Sequence, residues 1–365
     1  MNEDSRLLGG EESLAKGKVE IRVQRLLLRC DAVKPWTRGY AGETVRDFHT
    51  HTMYSDGFYT PTALMTEAAR NGIQEISITD HDTVAGLPDG KRTAESLGIR
   101  FLSGVEVTTT WLGKDVHLLG YGLEEERIRG SRLCSYMARI VESDQKWAHR
   151  VAEESRREPI TLKIDGETER LWISEDELDR FSESSIPSYF IFGVLVKEKL
   201  DALSKRFRSV PARHIYYFLF WRSGGQEFID RYEDLFKDFG IENRTFWNVP
   251  RKERPLMRTE ELIRMILEVG AVPVLAHPGE TVLHEKQIAE LALKGLKGVE
   301  VYTPKHDAQQ TQFYESVASS LGLLRICGTD FHDRYHRNRV EIGKDRNGAG
   351  LCRGATLQEI SKVRS

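Results

Sequence analysis

Short apolar runs alternate with helical segments in two stretches of the chain, residues 44–107 and 259–332. Thr60-Pro61 provides an N-cap and a first-turn proline, and Asn71-Gly72 ends the predicted helix between the first two runs. Strands that alternate with helices of about ten to fifteen residues pair in parallel and place the helices outside. The alternation therefore predicts an α/β domain, either an open doubly wound sheet or a barrel.

Histidine and carboxylate side chains stand at the ends of these runs. His49 and His51 lie two residues apart on the first predicted strand, so that both imidazoles face one side, and Asp56 follows in the next turn. Alone, such a pair is more often accidental than a metal site. The further residues at run ends are His81, Glu106, His117, His277, Asp330 and His332. Because barrel enzymes carry their chemistry at this end of the strands, the set favours a barrel.

This set contains imidazoles and carboxylates but no cysteine, which suits a cluster of two or three divalent ions such as manganese, iron or zinc. Several cations held close together can bind a phosphate and generate a hydroxide. The sequence has no P-loop and no Gly-x-Ser-x-Gly elbow, so nucleotide-driven work and serine hydrolysis are not expected. The residues thus predict a metal cluster rather than another cofactor site.

The amino-acid composition limits the classes of molecule that the protein is expected to bind. The 365 residues include 53 basic and 56 acidic side chains, a balance that indicates neither a long nucleic-acid track nor an anionic membrane surface. No apolar stretch approaches the roughly 20 residues of a membrane span, and no secretory signal pattern opens the chain. The 4 cysteines lack a Cys-x-x-Cys spacing, which fits reduced thiols. We therefore expect a cytoplasmic protein, and small or short anionic substrates remain open.

The pattern changes after Gly122, where the chain becomes mostly helical and charged. Within this segment Asp165-Gly166 predicts a β-hairpin turn, and the stretch from Ser174 to Glu177 predicts a capping box at the start of a helix. The predicted parts are an N-terminal extension at 1–43, a barrel at 44–122 and 259–365, and a mostly helical inserted cap at 123–258.

Seven motifs occur in order on both flanks of the inserted segment: Asp47–Gly57, Ile78–Asp82, Gly104–Val107, Val116–Tyr121, Leu275–Gly279, Gly298–Tyr302 and Gly328–His332. In composition and order they resemble the PHP family, the polymerase and histidinol phosphatase superfamily of metal-dependent phosphoesterases. The resemblance implies a distorted (β/α)7 barrel with a trinuclear metal site.

The resemblance also implies how the ligands divide. The implied sets are His49, His51, Glu106 and Asp330 for one ion, Glu106 as a bridge with His117 and His277 for a second, and Asp56, His81 and His332 for a third. All nine positions carry the expected residue type. Asp330 and His277 are thereby predicted to be catalytic. His306 matches a recurrent histidine of the nearest relatives and is predicted to contact phosphate or donate a proton.

The nearest subgroup contains nucleotide and short-oligonucleotide phosphatases, in which an Arg-Pro-His segment opens a cap helix. Here Ser188-Tyr189-Phe190 stands in that place, so the histidine is absent. The position is not an implied metal ligand, and the chemistry is expected to survive. Without this histidine, the substrate of the subgroup cannot be assigned directly to this protein. We expect the cap to set substrate specificity, with basic residues such as Arg150, Arg222 or Arg251.

The leading functional hypothesis is hydrolysis of a phosphomonoester of a small molecule or nucleotide by a metal-bound hydroxide at the trinuclear site. The alternative is a phosphodiesterase that acts on a cyclic phosphate or, like an exonuclease, on a short oligonucleotide. A third hypothesis, a noncatalytic metal-binding module, predicts lost ligands, and none is lost.

Overall fold

The structure is a computed structural model that describes residues 44–57, 59–164, 166–179, 254–332 and 340–364. These residues fall into two compact units, one of 44–140 with 255–364 and one of 141–179 with Arg254. The predictions for 1–43, for Ser188-Tyr189-Phe190, and for Arg222 and Arg251 lie outside the described residues.

The described strands form two sheets. The strands are β1 Arg46–Asp47, β2 Glu75–Ile78, β3 Arg100–Trp111, β4 Lys114–Tyr121, β5 Ile160–Ile164, β6 Glu167–Leu171, β7 Val272–Leu275, β8 Gly298–Tyr302 and β9 Leu324–Cys327. The first unit holds a sheet of 7 strands in the order β1-β2-β3-β4-β7-β8-β9. The second unit holds the pair β5-β6.

Helices follow most strands of the large sheet, as the alternating pattern predicts. They are α1 Pro61–Arg70, α2 Leu87–Ser96, α3 Glu125–Ile128, α4 Arg132–Arg157, α5 Glu175–Asp179, α6 Thr259–Glu268, α7 Pro278–Thr281, α8 Glu285–Leu293, α9 Ala308–Ser320 and α10 Leu357–Lys362. None of these described helices combines the length and apolar character that crossing a bilayer requires.

Within each alternating stretch the strands pair in parallel, as predicted, and the antiparallel strand of the sheet is β4, which lies between the two stretches. β3 pairs antiparallel with β4, and β4 pairs antiparallel with β7, whereas the other neighbours in the sheet are parallel. The cause is the two-residue turn between β3 and β4. Leu112 and Gly113 have φ of +52° and +76°, the left-handed pair of a type I′ hairpin turn. This turn reverses the chain directly, without the crossover helix that would make the next strand parallel.

The two edge strands of the large sheet are joined by hydrogen bonds. The N–H of Phe48, just after β1, donates to the carbonyl of Cys327 in β9 at 3.2 Å. Asp47 accepts from the N–H of Thr329 at 2.9 Å and from its hydroxyl at 2.6 Å. Further along, His51 donates its backbone N–H to the carbonyl of Phe331 at 2.8 Å. Neither edge is therefore left with an open row of backbone groups.

Apolar residues fill the space between the sheet and its helices. Every residue of β7 and β8 is buried, as expected for strands covered on both faces. On α6 the buried Leu262, Ile263 and Ile266 recur at helical spacing and pack into the same cluster as Val274. Each such side chain contributes about 1.5–3 kcal/mol of hydrophobic stabilisation. This packing fixes the strand ends, on which the site depends.

The predicted ends of the first helix, at Thr60 and Asn71, are confirmed. The Thr60 hydroxyl accepts from the N–H of Ala63 at 3.1 Å, which confirms that cap. Thr259 is the first residue of α6, and its hydroxyl donates to the carbonyl of Thr110 at 3.1 Å. α7 and α8 are separate helices, because the left-handed Val282, with φ of +52°, ends α7.

The described part of the second unit contains the C-terminal part of α4, the β5-β6 hairpin and α5. Antiparallel pairing from Ile164 with Glu167 to Ile160 with Leu171 confirms the predicted hairpin. The capping box is also confirmed, since the N–H of Ser174 donates to Oε2 of Glu177 at 2.9 Å and the N–H of Glu177 donates to Oγ of Ser174 at 3.2 Å.

Candidate metal centre

The fold brings the nine predicted ligand residues to one edge of the large sheet. His49, His51 and Asp56 follow β1, His81 follows β2, Glu106 lies in β3, His117 lies in β4, His277 follows β7, and Asp330 and His332 follow β9. Parallel strands expose their carboxyl ends at the same edge, which explains most of this set. Glu106 and His117 reach it differently, from within the antiparallel β3-β4 pair.

Glu106 is the centre of the group. Five histidine nitrogens surround its two oxygens: Nδ1 of His117 at 2.9 Å and Nε2 of His277 at 3.0 Å from Oε1, and Nε2 of His49 at 3.0 Å, Nε2 of His51 at 3.2 Å and Nδ1 of His81 at 3.3 Å from Oε2. The Glu106 side chain is fully buried. A single carboxylate with one oxygen directed to each group of histidines is suited to bridge two ions.

Two aspartates complete the ring of ligand-type atoms. Oδ1 of Asp330 lies 2.8 Å from Nε2 of His51 and 3.2 Å from Nε2 of His49. Oδ1 of Asp56 lies 3.0 Å from Nε2 of His332. Three groups have their ligand atoms within 4.8 Å of one another: His51, Asp56, His81 and His332; His49, His51, Glu106 and Asp330; and His81, Glu106 and His117.

Several buried polar atoms of the cluster face only other ligand-type atoms and form no hydrogen bond of regular geometry with a described residue. They are Nε2 of His51, Nδ1 of His81, Oδ1 of Asp56 and Oδ1 of Asp330. Leaving such atoms without a partner in the interior costs free energy, and a native fold seldom does so without a reason. A divalent cation would satisfy these atoms together, so the residues present fit a metal cluster.

The electrostatics of the site agree with cation binding. Although burial disfavours the charged form, His49, His81 and His117 hold the pKa of Glu106 well below its usual range. Burial likewise opposes charge on His51, but hydrogen bonds and charge from the site carboxylates raise its pKa to about 10. The carboxylates are thus ready ligands. A metal must displace the proton of His51, because only the neutral ring coordinates.

Glu300, in β8, holds two of the candidate ligands from behind. Its Oε1 lies 3.0 Å from Nδ1 of His49, and its Oε2 accepts the backbone N–H of His277 at 2.7 Å. The side chain is fully buried. Carboxylates in this position fix the tautomer and orientation of a metal-binding histidine. Sequence reasoning assigned Glu300 no role, although a lone acid within the apolar run Gly298–Tyr302 was a usable signal.

A second set of polar contacts shapes the turn after β1. Asp80 accepts from the N–H of Thr52 at 2.6 Å and from Oγ of Ser55 at 2.7 Å, while Ser55 Oγ also lies 3.2 Å from Nδ1 of His51. Gly57 passes close beneath this turn, and a side chain there would collide with the backbone carbonyl of His51. The turn is thereby folded tightly enough to return Asp56 to the cluster.

Two of the candidate ligands lie in left-handed backbone conformations. His277 has φ of +22° and Asp330 has φ of +54°, and Asp82 beside His81 has φ of +55°. Such conformations cost roughly 1–3 kcal/mol in non-glycine residues and persist where surrounding contacts determine them. Each follows a strand of the large sheet, so the strain lies where the chain turns its side chains into the site.

His306 does not have the arrangement that its predicted role requires. Its Nδ1 donates to the carbonyl of Val301 at 3.0 Å, and its Nε2 accepts the N–H of Gly279 at 3.0 Å. The ring is buried, and burial lowers its pKa. Both nitrogens are occupied by backbone groups, so this geometry supports a role in holding the turn after β7. It does not support a phosphate contact or a proton donor.

Lys305, the preceding residue, faces the cluster instead. Its Nζ forms an ion pair with Oδ2 of Asp330 and lies 2.8 Å from Oε2 of Glu280. Although burial opposes charge, these two carboxylates raise the pKa of Lys305 above its usual range. Sequence reasoning missed both Lys305 and Glu280, since neither lies at a position that the motif spacing marks.

The PHP domain model matches residues 47–186. Over 303 residues the chain is 35% identical to a 5'-3' exoribonuclease of Haemophilus influenzae, and the match covers 82% of this chain and 93% of that protein. The chain belongs to the PHP family. As a PHP protein with candidate metal-binding clusters, it is a metal-dependent phosphoesterase, a hydrolase.

Other PHP relatives have different named activities. Phosphoribosyl 1,2-cyclic phosphate 1,2-diphosphodiesterase of Eggerthella lenta is 27% identical over 80% of this chain and 96% of its own length. The 3',5'-nucleoside bisphosphate phosphatase of Chromobacterium violaceum is 24% identical over 84% and 93% respectively. A solved structure from Bifidobacterium adolescentis, 23% identical, matches the fold with a TM-score of 0.57 over 89% of this chain and 99% of that one. The two enzymes differ in the substrate that their names give, and the solved structure supports the fold alone.

Proposed function

We propose that the cluster around Glu106 holds three divalent ions, of manganese, iron or zinc, and that the protein hydrolyses a phosphomonoester of a small molecule or nucleotide. The observation that carries the proposal is Glu106 itself, whose two buried oxygens lie within 3.3 Å of five histidines. The proposed ligand sets are His49, His51, Glu106 and Asp330; Glu106, His117 and His277; and Asp56, His81 and His332.

The fold that supports this site is, on the same proposal, the distorted (β/α)7 barrel of the family, with residues 123–258 as an inserted cap. The hydrogen bond from Phe48 to Cys327 supports closure of the 7-stranded sheet. Closure would bring the ligands after β1 beside those after β9, as the proposed site requires.

Divalent ions bound here would supply positive charge and an activated water for attack on phosphorus. The protein itself orients the ligands: Glu300 fixes His49, and Ser55 lies against His51. The side chains of His49, His51 and Glu106 are shielded from solvent, whereas 27% of the His117 side chain and 19% of the His81 side chain are exposed. A phosphate group would therefore approach from the side of His81 and His117.

A second candidate, phosphodiester hydrolysis, is favoured by a specific observation. The 35% identity to the exoribonuclease extends over nearly the whole length of that protein. A site that orders one phosphate among several ions can release either a nucleoside or a nucleotide as the leaving group. The walls of the pocket rather than the ligands would then decide between a phosphomonoester, a cyclic phosphate and a short oligonucleotide.

A substrate panel tests both candidates. The purified protein, with manganese present, would be incubated with phosphomonoesters, 3',5'-nucleoside bisphosphates, cyclic phosphates and 5'-phosphorylated short oligonucleotides. Preferential release of inorganic phosphate from the first two classes would support the proposed monoesterase. Release of mononucleotides from oligonucleotides would support the diesterase. Hydrolysis of none of them, with the metal sites filled, would contradict the proposed function.

A further inference from the structure

Lys305 is a cation at the edge of the cluster that the proposed ligand sets do not use. Its side chain is only 13% exposed, and its Nζ contacts one carboxylate on each side, Asp330 and Glu280. Asp330 belongs to the first proposed ligand set. Glu280 lies 3.2 Å from Nδ1 of His277, which belongs to the second. The ammonium therefore contacts a member of the first ligand set directly and a member of the second through Glu280.

The two partners of Lys305 differ in how easily they could release it. Asp330 is buried at 5% exposure, and its other oxygen is held 2.8 Å from His51. Glu280 is 45% exposed, so water can replace its ion pair at small cost. An ammonium group has three donors, and these two carboxylates engage two of them. Lys305 can thus keep Asp330 while it exchanges Glu280 for another anion.

We propose that Lys305 is a phosphate-contacting residue, whose ammonium keeps its ion pair with Asp330 and binds a non-bridging oxygen of the substrate phosphoryl group in place of Glu280. The inference rests on the proposed function, since it concerns the same site. Its charge would complement a phosphate that the ions alone neutralise only on one side. The neighbouring His306 points away from Lys305 and accepts the backbone N–H of Gly279. After β8, Lys305 would therefore contact the substrate, whereas His306 contacts the backbone.

The competing explanation is that Lys305 only neutralises Asp330 and so braces the ligand shell. The two explanations predict different losses when Lys305 is replaced by a neutral residue. A phosphate contact predicts loss of phosphate affinity at unchanged metal content. A brace predicts loss of metal.

The test compares Lys305→Met and Lys305→Arg with the wild type, all loaded with manganese. Lys344→Met is a matched control, because the Lys344 side chain is also 13% exposed and also pairs with a glutamate, Glu341. Inorganic phosphate would be titrated into each protein by calorimetry, and bound manganese would be counted by elemental analysis. Should Lys305→Met fail to fold, Lys305→Gln, which keeps a donor for Asp330, takes its place.

We expect Lys305→Met to weaken phosphate binding by at least about tenfold, the loss of one charge-assisted hydrogen bond, at full manganese content. Lys305→Arg should keep most of the affinity, and Lys344→Met all of it. Phosphate affinity within twofold of wild type, loss of manganese together with phosphate, or a wild type that binds no phosphate would each overturn the inference. Because the titration needs no turnover, it tests Lys305 even if the substrate panel contradicts the proposed function.

Discussion

Oε1 of Glu300 lies 3.0 Å from Nδ1 of His49, and both side chains are fully buried. With Nδ1 directed to Glu300, the opposite nitrogen of the ring, Nε2, is directed to Glu106 at 3.0 Å. The contact therefore determines which nitrogen of His49 is available to a metal.

Glu300→Gln should weaken metal binding by about 10- to 100-fold, because an amide is a poorer acceptor for the histidine N–H and a second-layer carboxylate makes the ligand more basic. Chelator competition with a fluorescent indicator would measure the affinity. Glu290→Gln, at an exposed position on α8, is the control and should leave the affinity unchanged. Equal affinities for wild type and Glu300→Gln would show that Glu300 does not position the ligand.

The purified protein should carry two or three transition-metal ions per chain, because buried atoms such as Nε2 of His51 and Oδ1 of Asp330 face only other ligand-type atoms and form no hydrogen bond of regular geometry with a described residue. Removal of the ions by a chelator should lower the melting temperature, and manganese or zinc should restore it, since a ligand bound only by the native state stabilises that state. Elemental analysis well below one equivalent, without any thermal shift on adding metal, would contradict this expectation.

Asp330→Ala and His277→Ala should each lower turnover by orders of magnitude while the protein stays folded. Asp330 supplies a charge and His277 supplies a ring nitrogen within 3.0 Å of Glu106, so each change removes one ligand from the proposed cluster. Steady-state kinetics on the best substrate of the panel, with circular dichroism as a folding control, measures the effect. Activity within a few fold of wild type after either change would mean that the ligand sets are assigned wrongly.

His306→Gln should lower kcat by less than about tenfold and leave the shape of its pH profile unchanged. Glutamine can still donate to one backbone group and accept from another, as His306 does with Val301 and Gly279. Removal of a general acid would instead cost about 10²–10⁴-fold and abolish one limb of the profile. Rate measurements across the pH range with both proteins distinguish the two outcomes.

The metal-free protein should lose stability as the pH rises from about 7 to 10. The folded-state pKa of His51 is raised, against burial, to about 10 from an ordinary value of 6.5. Its stabilising contribution is therefore complete below pH 6.5 and is lost as the pH rises through the folded pKa. The lowered pKa of Glu106 makes no change in this window, since Glu106 is ionised throughout. Urea unfolding of chelated protein at several pH values measures the slope. His51→Gln should reduce it but not abolish it, because the pKa values of His49 and His117 are also raised by the site carboxylates.

The local sequence determined the helices, the hairpin in the second unit and the identity of the nine candidate ligands. These features follow from short-range rules, such as the Thr60 cap and the His49-x-His51 spacing, which act within a few residues. The motif order also placed the chain in its family, as the comparison with the exoribonuclease bears out.

The tertiary structure decided the direction of β4 and the residues that surround the ligands. The turn at Leu112-Gly113 reverses the chain, so that β4 is antiparallel to β3, and the alternation of strands and helices does not extend to this strand. Glu300 contacts His49, which lies 251 residues away in the chain. Lys305, which follows β8, pairs with Asp330, which follows β9. Lys305 and His306 are adjacent in sequence, but Lys305 pairs with a site carboxylate whereas His306 contacts backbone groups. No local pattern encodes such contacts, because each depends on the register and packing of strands that the chain brings together only when it folds.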